Sequence, residues 1–396
     1  MGKVKLLVTA IALYNGGAEK SLVNFLNLID YSKYEVDLLL FRKEGLFLKQ
    51  VPQNVNMLEA NSSLKYCYNS PDKYVFRSLT GLRSSLIRII GSLCGKIFGK
   101  TLYIGKQIRW KYFFSKVIKK VPGKYDVAMA YMHGDNMWHL IDKVNANRKI
   151  LWFHNDYSAY GTNVDWDLKY FEKADAIVSI SETCVDILKN YFPSIKEKFC
   201  VLPNLSSSQL IYKLANEYEA TELNGENIIL SIGRLSNQKG FDYAIEAASI
   251  LKNRNYSFKW YVIGDGELKE QLVKQIKALE VKDYFILLGV KINPYPYIKK
   301  CDIFVQTSRF EGKSIVLDEA KIMNKPIVVT DYQTVKDQIQ NGYNGIIVPI
   351  SAEGIADGIS KLIDDQIERE KLVRNLKKID QGNASEIEKY YSLMEN

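Results

Sequence analysis

Four glycine-containing loops in this sequence join an apolar, strand-like run to a helix-like one, and each carries groups suited to anionic, oxygen-rich ligands. The most charged is Gly233-Arg234-Leu235-Ser236-Asn237-Gln238-Lys239-Gly240. Arg234 and Lys239 can converge on one diphosphate, the guanidinium as a fork and the ammonium as a point charge. Two solvated cations are the commoner meaning of such a pair; the position after an apolar run and before Phe241 favours the ligand. A second loop, Ser308 to Ser314, closes with Glu311, and Glu319 follows eight residues later on a helix. Gly312 permits a close approach. The amides at 313–315, which include Ser314 and Ile315, stand at a helix start, where free N–H groups and the dipole favour phosphate. One carboxylate can then face a sugar while the other accepts ribose hydroxyls.

The two remaining loops are weaker signals. Tyr14-Asn15-Gly16-Gly17-Ala18-Glu19 brings a backbone close to a ligand through Gly16 and Gly17, or is a plain tight turn. It lacks the third glycine of GxGxxG and the Lys-Ser/Thr of a P-loop, which argues against a dinucleotide or ATP-type site. Gly264-Asp265-Gly266-Glu267 reads as a ligand turn or as a turn with acidic helix-start residues. Asp165-Trp166-Asp167 has the DxD pattern of a metal-holding pair, but it does not follow a strand and Arg234 with Lys239 already supplies positive charge. Three histidines (His133, His139, His154) and five scattered cysteines without a CxxC pair make neither a zinc site nor a disulfide framework. No resident metal or cofactor is expected.

The elements that position these loops are strands at 3–9, 35–41, 125–131, 149–154 and 175–180, then 227–233, 259–264, 285–289, 302–307, 326–330 and 345–349. Most are continuous aliphatic runs, as in strands buried on both faces of a parallel sheet. Amphipathic helices lie between them, with stripes such as Leu22, Phe25, Leu26, Ile29 and Leu268, Leu272, Ile276, Leu279. Alternation on this scale means α/β with parallel sheets. The chain has 396 residues, 47% of them hydrophobic, which is the make-up of a folded chain and not a disordered one, and two domains are expected. A polar stretch at 216–227 precedes a fresh strand–turn–helix series. The reading is an N-terminal doubly wound domain over 1–205, a second over 206–375, and a C-terminal helix within 376–396 that packs back on the first.

Net charge is +9, and residues 73–124 hold 13 Lys or Arg without a single acid. The basic excess is therefore local. Leu, Ile, Phe, Tyr and Trp interleave the cations, as in LIRIIGSL (86–93) and IRWKYFFSKVIKK (108–120). A basic amphipathic helix suits an anionic membrane surface; a solvated helical face is the plainer alternative. No recognised nucleic-acid motif accompanies the charge, so no nucleic-acid partner is expected. No uncharged apolar run reaches the roughly 18 residues of a membrane span, and no signal peptide is read at the N-terminus. The expected location is cytoplasmic, peripheral on the inner face of the cell membrane.

GGAEKSL (16–22), SIGRLSNQKGFDYAIEA (231–247), VIGDGELKEQL (262–272) and EGKSIVLDEA (311–320), in that order, resemble the family 4 retaining glycosyltransferases. The likeness is strong over about 227–349 and weaker over 43–124. It implies the GT-B fold, two Rossmann-like domains facing across a cleft, and transfer of a sugar from a nucleotide-sugar donor, a UDP-sugar favoured, to a glycan acceptor expected to be polyprenyl-diphosphate-linked, in capsular or other surface-polysaccharide synthesis. Gly16 and Gly17 would then approach the donor diphosphate. Arg234 and Lys239 would neutralise it in place of a metal. Glu319 would hold the ribose, Glu311 the transferred sugar, and backbone around Gly289-Val290, with Gly264 nearby, the base. His154, followed by Asn155-Asp156, matches the family histidine near the donor sugar; a satisfied histidine at a strand end is the alternative. Lys313-Ser314 departs from the usual aromatic or aliphatic residue followed by Gly or Pro, so the donor sugar stays open. An inverting transferase or an epimerase on the same architecture is the competing enzyme class.

Overall fold

The computed structural model describes every residue except 1, 15, 71–74, 76, 77, 155, 379 and 396. Asn15, Asn155, and Lys73 and Arg77 of the basic segment therefore lie outside the described residues. The chain divides into a first unit, Met1–Asn204 with Ser385–Asn396, and a second, Leu205–Ala384.

In the first unit seven strands form one sheet: β1 (Val4–Ala10), β2 (Tyr34–Leu40), β3 (Asn56–Leu58), β4 (Tyr125–Ala130), β5 (Ala146–Phe153), β6 (Ala176–Ser179) and β7 (Phe199–Val201). Their order is β3-β2-β1-β4-β5-β6-β7 and every pairing is parallel. The second unit repeats the scheme with β8 (Ile228–Ile232), β9 (Lys259–Ile263), β10 (Phe285–Gly289), β11 (Ile303–Gln306), β12 (Ile327–Thr330) and β13 (Ile346–Val348), ordered β10-β9-β8-β11-β12-β13, again all parallel. Both are the doubly wound α/β architecture expected from buried apolar runs separated by helices.

Each sheet reverses strand order beside its first strand, between β1 and β4 and between β8 and β11. Loops at the carboxyl ends of those strands diverge to opposite faces of the sheet and leave a crevice there. The helix Ile387–Glu395 packs on the first unit: Tyr390 stacks between Trp152 (5.2 Å) and Phe25 (5.4 Å), its hydroxyl donates to the Pro203 carbonyl at 2.8 Å, and Tyr391 stacks on Tyr34 at 5.3 Å. The part of 376–396 that returns to the first unit is narrower than the sequence implies: it begins at Ser385, and the chain up to Ala384 stays with the second unit.

Candidate functional site

The charged loop Gly233–Gly240 follows β8, and the loop from Thr307 to Ser314 follows β11, so the two loops flank the switch point of the second sheet. They are strapped together. The Thr307 hydroxyl donates to the Lys239 carbonyl at 2.8 Å, and the Arg309 amide donates to the Gln238 carbonyl at 2.8 Å. Gly240 adopts φ +63°, and a Cβ there would lie 2.1 Å from the Thr307 carbonyl oxygen, so only glycine lets the loops approach this closely. Arg309 adds a fork to Asp242 (2.9 and 2.5 Å) and a bond to the Asn237 carbonyl at 2.7 Å. Burial opposes ionisation of Asp242, but the Arg309 hydrogen bonds and charge outweigh it and hold the carboxyl below its ordinary range.

This strapping brings Lys239 onto Glu311. Their Nζ and Oε1 are 2.5 Å apart, with the side chains 18% and 8% exposed. The same oxygen accepts from the Ser308 hydroxyl at 2.7 Å and Gln306 Nε2 at 3.3 Å, and Oε2 accepts from Gln238 Nε2 at 3.2 Å. Glu311 is thus oriented by three neutral donors besides the ammonium. The aliphatic stem of Lys239 runs over Gly233, the residue before Arg234. Arg234 is exposed and forms no ion pair among the described residues. Two cations of one loop thus stand at the switch point, one held against a carboxylate and one open to solvent. Gly264 packs against the Gly233 carbonyl, and its amide donates to the Gly289 carbonyl at 2.9 Å; Gly289 ends β10 with open space where a Cβ would stand, and half-exposed Val290 follows it.

At the helix start after Gly312 the structure corrects the sequence reading. The amides at 313–315 are not all open: helix Ile315–Ile322 begins with Ser314 and Ile315 buried, and the Ser314 amide donates to Gln338 Oε1 at 2.7 Å. Gln338 Nε2 in turn donates to the Ser314 carbonyl at 2.8 Å and Asp318 at 3.1 Å, and the Ser314 hydroxyl donates to Gln306 Oε1 at 2.7 Å. A side-chain amide thus takes the place assigned to a phosphate. Glu319 is also fully buried, and its Oε1 accepts the Tyr295 hydroxyl at 3.0 Å, where a ribose hydroxyl was expected. Reasoning from sequence missed Gln306, Gln338, Tyr295 and the Arg309–Asp242 strap. Gln306, a polar residue closing an apolar strand, is the one with a visible signal.

In the first unit, Gly16 precedes helix Gly17–Leu28, and the Glu19 carboxylate folds back over it: a Cβ on Gly16 would lie 2.3 Å from Glu19 Oε2. His154 follows β5 and is buried; its Nε2 lies 2.8 Å from the Tyr131 carbonyl, which assigns the proton to Nε2. Burial pushes the imidazole down to about 4, so it is neutral at physiological pH. Asp165 and Asp167 do not converge. Asp165 is exposed on helix Val164–Phe171, whereas Asp167 is buried, accepts from Tyr157 at 2.9 Å and Gln107 at 3.1 Å, and is raised by burial to about 6. No cluster of three or more His, Cys, Asp or Glu suited to a metal occurs among the described residues.

The basic segment folds as helix Leu79–Phe98 followed by Leu102–Arg109 and a short continuation through Val117. The long helix is packed by its small residues. Gly81, Ser84, Ser85, Gly91 and Gly95 face inward, while Leu79, Leu82, Leu86, Ile89, Leu93 and Ile97 form an outer stripe that is 39–87% exposed. Gly95 meets Gly105 of the next helix so closely that a Cβ on either would lie 2.6 Å from the other's carbonyl oxygen. No described helix is long and apolar enough to cross a membrane.

Comparison with known proteins agrees with the geometry. Residues 216–379 match the family described as Glycosyl transferases group 1. The chain is 29% identical over 265 residues to an uncharacterised glycosyltransferase of Methanocaldococcus jannaschii, covering 60% of this chain and 64% of that protein. It is 30% identical over 245 residues to the Campylobacter jejuni N-acetylgalactosamine-N,N'-diacetylbacillosaminyl-diphospho-undecaprenol 4-alpha-N-acetylgalactosaminyltransferase, covering 61% and 64%. The match thus spans just under two thirds of the length of these relatives. Among solved structures, Anabaena HepE in complex with UDP and glucose superposes with a TM-score of 0.69 at 17% identity over 98% of both chains. A Staphylococcus aureus TarM mutant bound to UDP gives 0.68 at 15% identity over 100% of both. At those identities the likeness is one of fold: the GT-B architecture.

Proposed function

We propose that this chain, whose residues 216–379 carry the group 1 glycosyltransferase region, is a retaining, metal-independent glycosyltransferase of the family 4 type. It moves a sugar from a nucleotide-sugar donor, a UDP-sugar in the first instance, to a lipid-linked glycan acceptor in the synthesis of a surface polysaccharide. The observation that carries this reading is the Lys239–Glu311 pair, drawn from two strapped loops at a sheet's switch point. Arg234 and Lys239 neutralise the departing diphosphate, so positive charge is placed where negative charge develops without a metal ion. Glu311, its direction fixed by Ser308, Gln306 and Gln238, faces the transferred sugar as its anomeric carbon becomes cation-like. The bond from that carbon to the phosphate oxygen breaks, the acceptor oxygen bonds on the same face, and the departing phosphate takes the acceptor proton. Glu319 reaches the ribose once Tyr295 yields its hydrogen bond.

Support for the acceptor class comes from two directions. The Campylobacter relative is named for a diphospho-undecaprenol acceptor, and others are named for amylovoran and lipopolysaccharide core synthesis. In this chain the exposed apolar stripe of Leu79–Phe98 is flanked by cations, which suits the inner, anionic face of a membrane. The test is a transfer assay with α-linked UDP-sugars and a polyprenyl-linked acceptor, with the product anomer read by NMR. An α-product is expected; a β-product overturns retention, and absence of UDP binding overturns the donor assignment.

A further inference from the structure

A cavity of about 550 Å³ opens in the first unit, beside the helix that carries the apolar stripe. Its wall includes Ile11 after β1, Arg42 after β2, and His133 and Asp135 after β4, so it lies at the carboxyl end of the first sheet and at its switch point. Five cations line it: Arg42, Arg88, Lys96, Lys106 and Arg109. They come from a strand end and two helices, so the tertiary fold, not one helical face, gathers them. Asp135 is the one acid on the wall and is engaged by Arg109. Arg42 has a second carboxylate, Glu44, at 3.6 Å. Arg88, Lys96 and Lys106 have no ion pair among the described residues.

A second observation points to a ligand. The Nε–H groups of Arg42, Arg88 and Arg109 are buried and lack an acceptor among the described residues. Buried donors without acceptors are rare in folded proteins because each forfeits its hydration. Three guanidinium groups with unsatisfied donors around one hollow form a receptor for a multiply charged oxyanion. Ile89 and Leu93 lie on both the cavity rim and the exposed stripe, so an apolar chain leaving the cavity would run onto the outer face of the helix.

We propose that this cavity holds the diphosphate of a polyprenyl-linked acceptor, with the prenyl chain laid along the stripe headed by Leu86, Ile89 and Leu93. This rests on the transferase reading and adds a site on the other unit from the donor loops. Diphosphate is preferred over a phospholipid phosphate because five cations against one engaged acid leave more positive charge than the single negative charge of a phosphodiester neutralises.

The test compares binding of the whole protein to phosphatidylcholine vesicles doped either with undecaprenyl diphosphate or with phosphatidylglycerol at matched surface charge. The wild type should prefer the diphosphate lipid by about tenfold or more, the worth of one charge-assisted hydrogen bond. Inorganic pyrophosphate in excess should abolish that preference. The double variant Arg88→Gln/Lys106→Gln should lose it while keeping the melting-point rise given by UDP, which reports an intact second unit and donor site; a circular dichroism melt with an unchanged first transition shows that the first unit is folded. Equal binding to both vesicles overturns the proposal, as does a preference that survives pyrophosphate or persists in the folded variant. Failure of UDP to raise the melting point of the wild type sinks the transferase reading instead, whatever the vesicles show.

Discussion

Replacing Lys239 by alanine separates the chemical role of the cation from its structural one. The ammonium lies 2.5 Å from Glu311 with both side chains mostly buried. Breaking a buried pair from one side costs about 3–5 kcal/mol when the remaining charge is stranded. Glu311 is not stranded, because Ser308, Gln306 and Gln238 still donate to it. The cost to stability should therefore fall to about 1–2 kcal/mol, a drop of roughly 2–8 °C in the melting point of a unit this size. Loss of a preorganised charge aimed at the leaving group should instead lower turnover by about 10²–10³-fold. Steady-state UDP release at saturating acceptor, with melts in the presence and absence of UDP, measures both effects. Lys239→Arg should recover part of the rate, because it restores charge with a different shape. Undiminished turnover in a folded Lys239→Ala protein would refute the placing of the diphosphate on this loop.

Acid should unfold the first unit before the second. Burial brings His133 and His139 down to about 3 and His154 to about 4, and all three belong to the first unit. A base whose folded pKa is depressed stabilises the fold above its unfolded pKa near 6.5, and that stability drains away as pH falls toward the folded values; at about pH 5 the three together forfeit on the order of 6 kcal/mol. Asp167, raised to about 6, has the opposite sign and returns about 1 kcal/mol over the same range. Scanning calorimetry should show the first transition moving down and the second holding; two unmoved transitions would contradict the burial argument. Transfer should survive EDTA, since Arg234 and Lys239 supply the charge; loss of activity restored by Mn²⁺ would reverse that assignment. The variant Leu86→Glu/Ile97→Glu should lower affinity for anionic vesicles by about 30-fold or more, because each exposed side chain contributes about 1 kcal/mol on insertion and the new charges repel the surface; unchanged sedimentation would remove the stripe from membrane binding.

The eleven strands read from the sequence all exist because each is a run rich in aliphatic residues, most of them buried on both faces, a pattern that survives without tertiary information. The two that were not read as strands, β3 and β7, are three-residue edge strands too short to show a pattern. Lys239 and Glu311 were legible as loop residues of suggestive type, but their contact was not, because it depends on Gly240 and Arg309 drawing two loops together across 72 residues. The Gln338 amide that closes the helix start at Ser314 comes from a turn 24 residues away and leaves no trace in local spacing. The basic helix shows the sharpest gap. Periodicity identifies its apolar face, and the usual rule buries that face; here Gly95, Gly99 and Gly105 permit so close a backbone crossing that the small-residue face is buried instead.

The last helix has a consequence for synthesis on the ribosome. Tyr390 completes an aromatic pile begun by Phe25 and Trp152, and Arg148 Nε donates to the Leu393 carbonyl at 2.8 Å, so the first unit cannot close until residues 385–396 have emerged. The second unit is contiguous and suffers no such delay. Order of maturation should thus run against order of translation: the later-made half closes first, and the earlier-made half waits, its Trp152 face uncovered and a natural client for chaperones, for helix Ile387–Glu395 to arrive.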